Sequence, residues 1–487
     1  MTLLLAALLL TAQDTDVPWG VSSSSSSYRN HAEWFPKMSS IGVRTVRLFP
    51  EWGGMQPTAD TWTWDSVDTL LKNAGDNKIE INAILMGKPS WKPGGVHAFP
   101  MKNLPEWSTL MSTVVARYKD KIRYWEIWNE GNGGFNDDHS TTADYARLVA
   151  ESYTAAKKSD PKALVGMTVA SFDAPYLREA ARAQPDSFDF LCIHPYEIAD
   201  GLAAPDGEIP FLWMRHRLRE AMKSVAPKKA DVPVWITEVG RRLDGKNVRD
   251  VEAASGLVKI YTMAIAQGIR RTLWFEAQDP AGEEPGFGLI DRKGQNRPSY
   301  TAFQTMTATL GQTPKVLGWL ALGPKGRGYG FVFQGASRPV LVAWMPAGET
   351  DASTTFKSAV DLVDLSGFKT PLPEGKPLLF GDFPVFVVGL PADQVKAATA
   401  NAAKPYPWGG NYASATTVTL DFGAEQPQGV YTLAPRKIHK FADGSQGWRL
   451  EANEGSNFFV HPSFANLDTR DYYIRLTLRR IGPGNVG

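Results

Sequence analysis

The chain has 487 residues, 52 Lys and Arg against 51 Asp and Glu, and a net charge of +1. That length accommodates two or three domains at roughly 150 residues each, or a barrel of nearer 250 with smaller companions. With no basic run, the chain lacks the clustered Lys and Arg that a nucleic-acid reader or an anionic-membrane binder needs.

A single Cys192 excludes an intrachain disulfide and a Cys-built metal cluster. The seven His residues are scattered, without a His-x-x-x-His pair to seed a metal site. Sixteen Trp residues remain. Each is core filler or a flat platform for a ligand ring, and position must decide which.

The chain opens with MTLLLAALLLTAQ (1–13), an apolar run too short to span a bilayer, followed by Asp14 and Asp16. Residues 1–16 read as a signal-like segment without a basic n-region, which implies a secreted or periplasmic protein. No later stretch approaches 18 consecutive apolar residues, so no membrane span is expected in the mature chain.

From 17 to 310 an amphipathic helix, a Gly or Pro stop and a short β-branched run recur. The clearest unit is VEAASGLVKIYTMAIAQ (251–267), stopped by Gly268 and followed by RRTLWF (270–275). The candidate strands are WGV (19–21), VRTVRLF (43–49), IEINAILM (79–86), IRYWEIW (122–128), ALVGMTV (163–169), FDFLCIH (188–194), VPVWIT (232–237) and RRTLWF. This spacing, about 25 to 45 residues, is the period of βα units. The expected fold is a (β/α)8 TIM barrel over 17–310. A doubly wound sheet is disfavoured because WGVSSSSSSYRN, and no Gly-x-Gly-x-x-Gly, follows the first strand.

Catalytic groups of such a barrel sit at the C-terminal ends of its strands. The fourth strand ends in WEIWNEGN (125–132), the sixth in CIHPY (192–196) and the seventh in WITEVG (235–240). Alternation puts Val234, Ile236 and Glu238 on one face, so Glu238 points into the mouth if the other two fill the barrel. Glu126, Trp128 and Glu130 likewise share a face, and Asn129 joins them only if the strand ends or bulges there. Two glutamates aimed at one mouth are the equipment of retaining glycoside hydrolysis.

As a set, WEIWNEGN, ITEVG, RLFPEW (47–52), TWTWDSVD (61–68) and RPSYTAFQ (297–304) resemble the clan A glycoside hydrolases, most like family 39, with family 5 and relatives next. The resemblance implies Glu130 as acid/base, Glu238 as nucleophile and Asn129 as donor to the sugar 2-hydroxyl. It further implies that Arg47 holds the nucleophile ionised, or else satisfies Glu126. His194 and Tyr196 fit positions that bind the nucleophile or line the pocket. Trp274 fits the sugar-stacking platform, and Trp91 is a subsite wall or a brace for its loop. Trp125 and Trp235 are expected on outward faces under helices. Gly131 stands where the family commonly has Pro, and Arg241-Arg242 contact an anionic sugar or a loop acid.

After 310 the helical pattern stops. Residues 311–400 read as a small β-sandwich and 401–487 as linker and a further, truncated β-module; KAATANAAKPYPWGGNYA (396–413) reads as the linker and YYIRLTLRR (472–480) as a strand. The expected activity is retaining cleavage of β-glycosidic bonds in a poly- or oligosaccharide, a two-carboxylate mechanism that calls for no metal or organic cofactor. The alternative is a catalytically silent glycan-binding protein on the same barrel. The oligomeric state is left open.

Overall fold

A computed structural model describes residues 17–243, 248–280, 286–323, 325–350, 352–422, 428–433, 438–448, 458–466 and 470–477. The signal-like segment 1–16 lies outside them. Among the described residues no helix is long and apolar enough to cross a membrane.

Eight parallel strands close into a barrel in chain order: β1 (Trp19–Ser22), β2 (Thr45–Arg47), β3 (Glu80–Leu85), β4 (Tyr124–Ile127), β5 (Leu164–Ala170), β6 (Phe190–His194), β7 (Val234–Val239) and β8 (Arg271–Phe275). All eight coincide with the apolar runs read from the sequence. Helices such as Asp250–Ala266 cover the outside. Gly268 ends that unit at φ 82°, a left-handed turn that only glycine adopts without steric cost.

The barrel floor is aromatic. Tyr124, Phe190 and Trp235 meet there, with Trp235 4.7 Å from each of the other two rings. The Arg271 guanidinium lies 4.5 Å from the Tyr124 and Trp235 rings and pairs with Glu80 at 2.6 Å. Trp235 therefore faces inward, contrary to the sequence expectation. Trp125 does face outward, packing on Phe49 at 5.9 Å.

Two local irregularities aim the catalytic-face residues. On β7, Trp235 and Thr237 face the lumen, so simple alternation would send Glu238 outward with Ile236. The ladder to β8 shifts register between Ile236 and Val239. This bulge turns Glu238 back into the mouth, so the expectation that Val234 and Ile236 fill the barrel is corrected while its consequence for Glu238 stands. On β4 the strand stops at Ile127, and Trp128 (φ 66°) and Glu130 (φ 46°) take left-handed backbone. Such backbone is costly for a bulky residue. Trp128 is held in it by full burial against Phe99 and Trp107 and by an Nε1–H bond of 2.7 Å to the Phe135 carbonyl.

Beyond helix Pro298–Leu310 come β9 (Val316–Leu322), β10 (Gly328–Phe333), β11 (Val340–Trp344), β12 (Ala352–Thr355), β13 (Val360–Val363), β14 (Lys369–Leu372), β15 (Pro377–Phe380) and β16 (Val385–Val388). Six form an antiparallel sheet of order β14-β13-β16-β11-β10-β9, and β12 pairs with β15. The stretch read as a linker is not one. Helix Ala392–Asn401 lies on β9, so close that a Cβ on Gly318 would stand 1.9 Å from the Ala398 carbonyl oxygen. Trp408 packs on Tyr329 at 4.7 Å. Further along, Val430–Thr432 pairs with Phe458–Val460 and Ile438–Lys440 with Gln446–Trp448. Of the expected strand 472–480, residues 472–477 show no strand pairing among the described residues and Tyr473 is 96% exposed, while 478–480 lie outside the described residues.

Candidate active site

Arg47 organises the mouth. It rises from β2 and is 4% exposed. Its Nε and Nη2 donate to both oxygens of Glu126 on β4, each at 3.0 Å. Nη2 also donates to Asn129 Oδ1 at 2.7 Å, and Nη1 to Glu238 Oε2 at 2.9 Å. One planar fork thus reaches both Glu126 and Glu238.

Glu126 is fully buried, and burial alone would raise its pKa. The adjacent Arg47 charge and the bond from His194 outweigh this and hold the carboxyl down at about 2. Asn82 Nδ2 at 2.9 Å and Thr237 Oγ1 at 3.2 Å complete its partners. Burial would lower the Arg47 pKa, but Glu126 and Glu238 raise it, so the cation persists.

His194 closes β6 with no exposed side-chain surface. Its Nδ1 lies 2.8 Å from Glu130 Oε1 and its Nε2 3.0 Å from Thr237 Oγ1. Burial favours the neutral ring, yet the Glu238 charge and the bonds to Glu126 and Glu130 raise its pKa to about 9. Thr237 accepts from this imidazolium and donates onward to Glu126, which sets both polarities.

Above this buried layer the two expected glutamates are accessible, their side chains 21% (Glu130) and 14% (Glu238) exposed. Glu238 accepts from Arg47 on one oxygen and from the Tyr196 hydroxyl, at 2.8 Å, on the other. Burial and then the Glu238 charge push the Tyr196 hydroxyl pKa well above its usual range, so it stays a donor. A carboxylate oxygen of Glu130 and one of Glu238 lie within 4.8 Å of each other. In the ligand-free site the Glu130 pKa is lowered: burial would raise it, but the His194 contact prevails.

Glu130, His194 and Glu238 are the one trio among the described residues with metal-ligating geometry. Arg47, 2.9 Å from Glu238, already supplies the positive charge that a cation would bring there.

Two expected stacking residues are not brought to the mouth. Trp274 is fully buried under helix Asp250–Ala266, its backbone N–H bonded to Tyr261 and its Nε1 to the Phe287 carbonyl. On β8 it is Arg271, Leu273 and Phe275 that face the lumen, which leaves Trp274 outward. Phe275, partly exposed, meets Phe287 at 5.4 Å and Tyr196 at 6.5 Å and is the aromatic that sequence reasoning missed by one residue. Trp91 braces its loop through an Nε1 bond to the Gln56 carbonyl, and the Lys92 ammonium lies 4.9 Å from its ring. Arg241 is buried, its stem packed on Gly256 of the helix layer, whereas Arg242 is exposed.

The family model described as Cellulase (glycosyl hydrolase family 5) matches residues 10–278, more than half of the chain. A β-xylosidase of Caldicellulosiruptor saccharolyticus is 26% identical over 234 residues, 44% of this chain and 48% of that one. The chain thus spans about half the length of that curated relative. A family 39 glycoside hydrolase from Bacteroides cellulosilyticus WH2 shares the fold with a TM-score of 0.62 at 18% identity, over 77% of this chain and 81% of that one. A monomeric β-xylosidase from Caulobacter crescentus CB15 does so with a TM-score of 0.57 at 16% identity, over 77% and 96%. The chain belongs to the Cellulase (glycosyl hydrolase family 5) family of the clan A glycoside hydrolases and shares the fold of family 39 enzymes.

Proposed function

We propose that this glycosidase is a retaining β-glycosidase that cleaves a poly- or oligosaccharide by double displacement, with Glu238 as nucleophile and Glu130 as acid/base. The observation that carries the reading is that one oxygen of each carboxylate lies within 4.8 Å of the other. Retaining enzymes hold their pair about 5 to 5.5 Å apart, whereas inverting ones leave about 6.5 to 9.5 Å for a water.

The surroundings favour this division of roles. Glu238, gripped by Arg47 and Tyr196, is oriented to attack the anomeric carbon. Glu130 shares a proton with His194 across 2.8 Å. A bound sugar expels water from around Glu130, which favours its neutral form and draws that proton onto its carboxyl. Glu130 then protonates the departing oxygen as the glycosidic C–O bond breaks and the Glu238 ester forms. In the second step Glu130 takes a proton from water, whose oxygen displaces Glu238. Asn129, with Oδ1 fixed by Arg47, offers Nδ2 as donor to the sugar 2-hydroxyl.

Because the curated relative is a β-xylosidase, aryl β-xylosides head the substrate panel. Proton NMR of the first-formed sugar tests the reading. The β-anomer is expected from a β-glycoside, and the α-anomer would overturn retention. Glycan binding without any turnover would instead mark a silent binding protein.

A further inference from the structure

Glu130 sits on backbone that its own loop does little to fix. Its φ is 46°, and the Gly133 N–H closes a turn on its carbonyl at 2.8 Å, with Gly131 and Asn132 as the central residues. A left-handed residue of this kind keeps its geometry only where the surroundings hold it. Gly131, standing where the family commonly has Pro, fixes no φ of its own. Nor is there room for a proline ring. A Cβ at Gly131 would stand 2.6 Å from Cζ of Phe99, a buried side chain packed on Trp128 at 5.1 Å and Tyr145 at 5.9 Å. The restraint on Glu130 must come from another part of the chain.

It comes from β5. The β4–β5 ladder ends at the Ile127–Met167 pair, whereas β5 runs on to Ala170. Beyond that pair, side chains meet the backbone groups on this edge. The Tyr145 hydroxyl accepts from the Thr168 N–H at 2.7 Å, and Asn132 takes both polar groups of Ala170. Its Oδ1 accepts from the Ala170 N–H at 2.8 Å, and its Nδ2 donates to the Ala170 carbonyl at 3.2 Å and to Asp173 Oδ2 at 3.1 Å. Asp173 is itself fixed, since its Oδ1 caps helix Ala174–Ala183 through the Tyr176 N–H at 3.0 Å. On its other edge Ala170 is the ladder partner of His194. Ala170 thus stands between the loop that carries Glu130 and the strand end that carries His194, whose Nδ1 lies 2.8 Å from Glu130 Oε1.

We propose that Asn132 is a positioning residue of the reaction. With its acceptor and both donors engaged on the end of β5, it holds Glu130 at the distance from His194, and in the direction of the departing oxygen, that proton donation requires. It does for this chain what a fixed φ at position 131 would otherwise do. Asn136 supports the same turn from its far side, donating from Nδ2 to the Gly131 carbonyl at 2.9 Å. The proposal rests on the glycosidase reading above and on Glu130 as its acid/base.

Leaving groups of different acidity isolate this role. A dinitrophenolate departs without a proton, whereas a phenolate needs the one that Glu130 gives. The test measures kcat/KM of Asn132→Ala for the 2,4-dinitrophenyl and phenyl β-glycosides of the sugar that the wild type cleaves. The phenyl substrate is expected to slow about 10- to 100-fold, part of what a general acid contributes, and the dinitrophenyl substrate less than about 3-fold. Both rates are read on one preparation, so partial misfolding lowers them alike and leaves their ratio at the wild-type value. Equal losses, or none, would overturn the proposal. If Asn132→Ala fails to fold, Asn136→Ala decides: a loss confined to the phenyl substrate is expected, and an unchanged ratio would overturn the role. No turnover of any β-glycoside by the wild type would instead overturn the glycosidase reading, and the positioning role with it.

Discussion

Arg47 and Glu238 meet at 2.9 Å because the bulge in β7 turns the glutamate back into the barrel mouth. The same guanidinium is locked from below by both oxygens of Glu126, which is fully buried. Glu238 is therefore positioned by a rigid buried pair, not by a mobile surface contact. Breaking such a pair is costly because it strands a charge in the interior.

Arg47→Lys tests that coupling. A single ammonium cannot bridge Glu126, Asn129 and Glu238 at once, so both stability and rate should fall. Unfolding by urea is expected to show a loss on the order of 3 kcal/mol, with kcat reduced at least about 100-fold. Wild-type turnover in this variant would contradict the role assigned to the fork.

Tyr196→Phe removes one donor to Glu238 without disturbing the barrel wall. The expected loss is that of a hydrogen bond to a charged group, about 1.5 to 3 kcal/mol, or roughly 10- to 150-fold in kcat/KM. Thermal stability should change little. An unaltered kcat/KM would show that the 2.8 Å contact does not serve the reaction.

Stability should depend on pH through the buried network. The His194 pKa is raised from 6.5 to about 9, so its contribution is full below 6.5 and disappears as pH rises through 9. The Glu126 pKa is lowered from 4.5 to about 2, so its contribution is full above 4.5 and disappears as pH falls toward 2. The measured Tm should therefore decline on the alkaline side as His194 deprotonates, and His194→Asn should lack that step. A wild-type Tm that is level through pH 9 would count against the imidazolium.

The aromatic assignments separate binding from folding. Phe275→Ala should raise KM with a small change in Tm, because Phe275 is partly exposed beside Tyr196. Trp274→Ala should instead destabilise by about 3 to 5 kcal/mol, since it empties a filled site in the helix–strand layer. The reverse pattern in steady-state kinetics and melting would restore Trp274 as the platform.

The strands were legible because each is a β-branched or aromatic run bounded by a glycine or proline stop, and tertiary structure had only to close them. Glu130 and Glu238 were legible as charges ending apolar strands. The facing of β7 was not, because a bulge adds a residue without any mark in the sequence, and Trp235 and Ile236 exchanged sides as a result. Trp274 and Phe275 are both aromatic, so composition could not choose the lumen residue; the buried Arg271, on the same face as Phe275, decides it. The stretch 396–413 looked like a linker from its Ala and Pro content. Its helical part is held by backbone packing at Gly318, a contact between distant segments that no local pattern reveals.

The most direct test of the central claim is to trap the glycosyl-enzyme with a 2-deoxy-2-fluoro aryl β-glycoside and locate the label by peptide mass mapping. One sugar adduct per chain is expected on the peptide containing Glu238, absent in Glu238→Gln. A label on Glu130 or another residue, or full turnover of the unmodified substrate by Glu238→Gln, would contradict it.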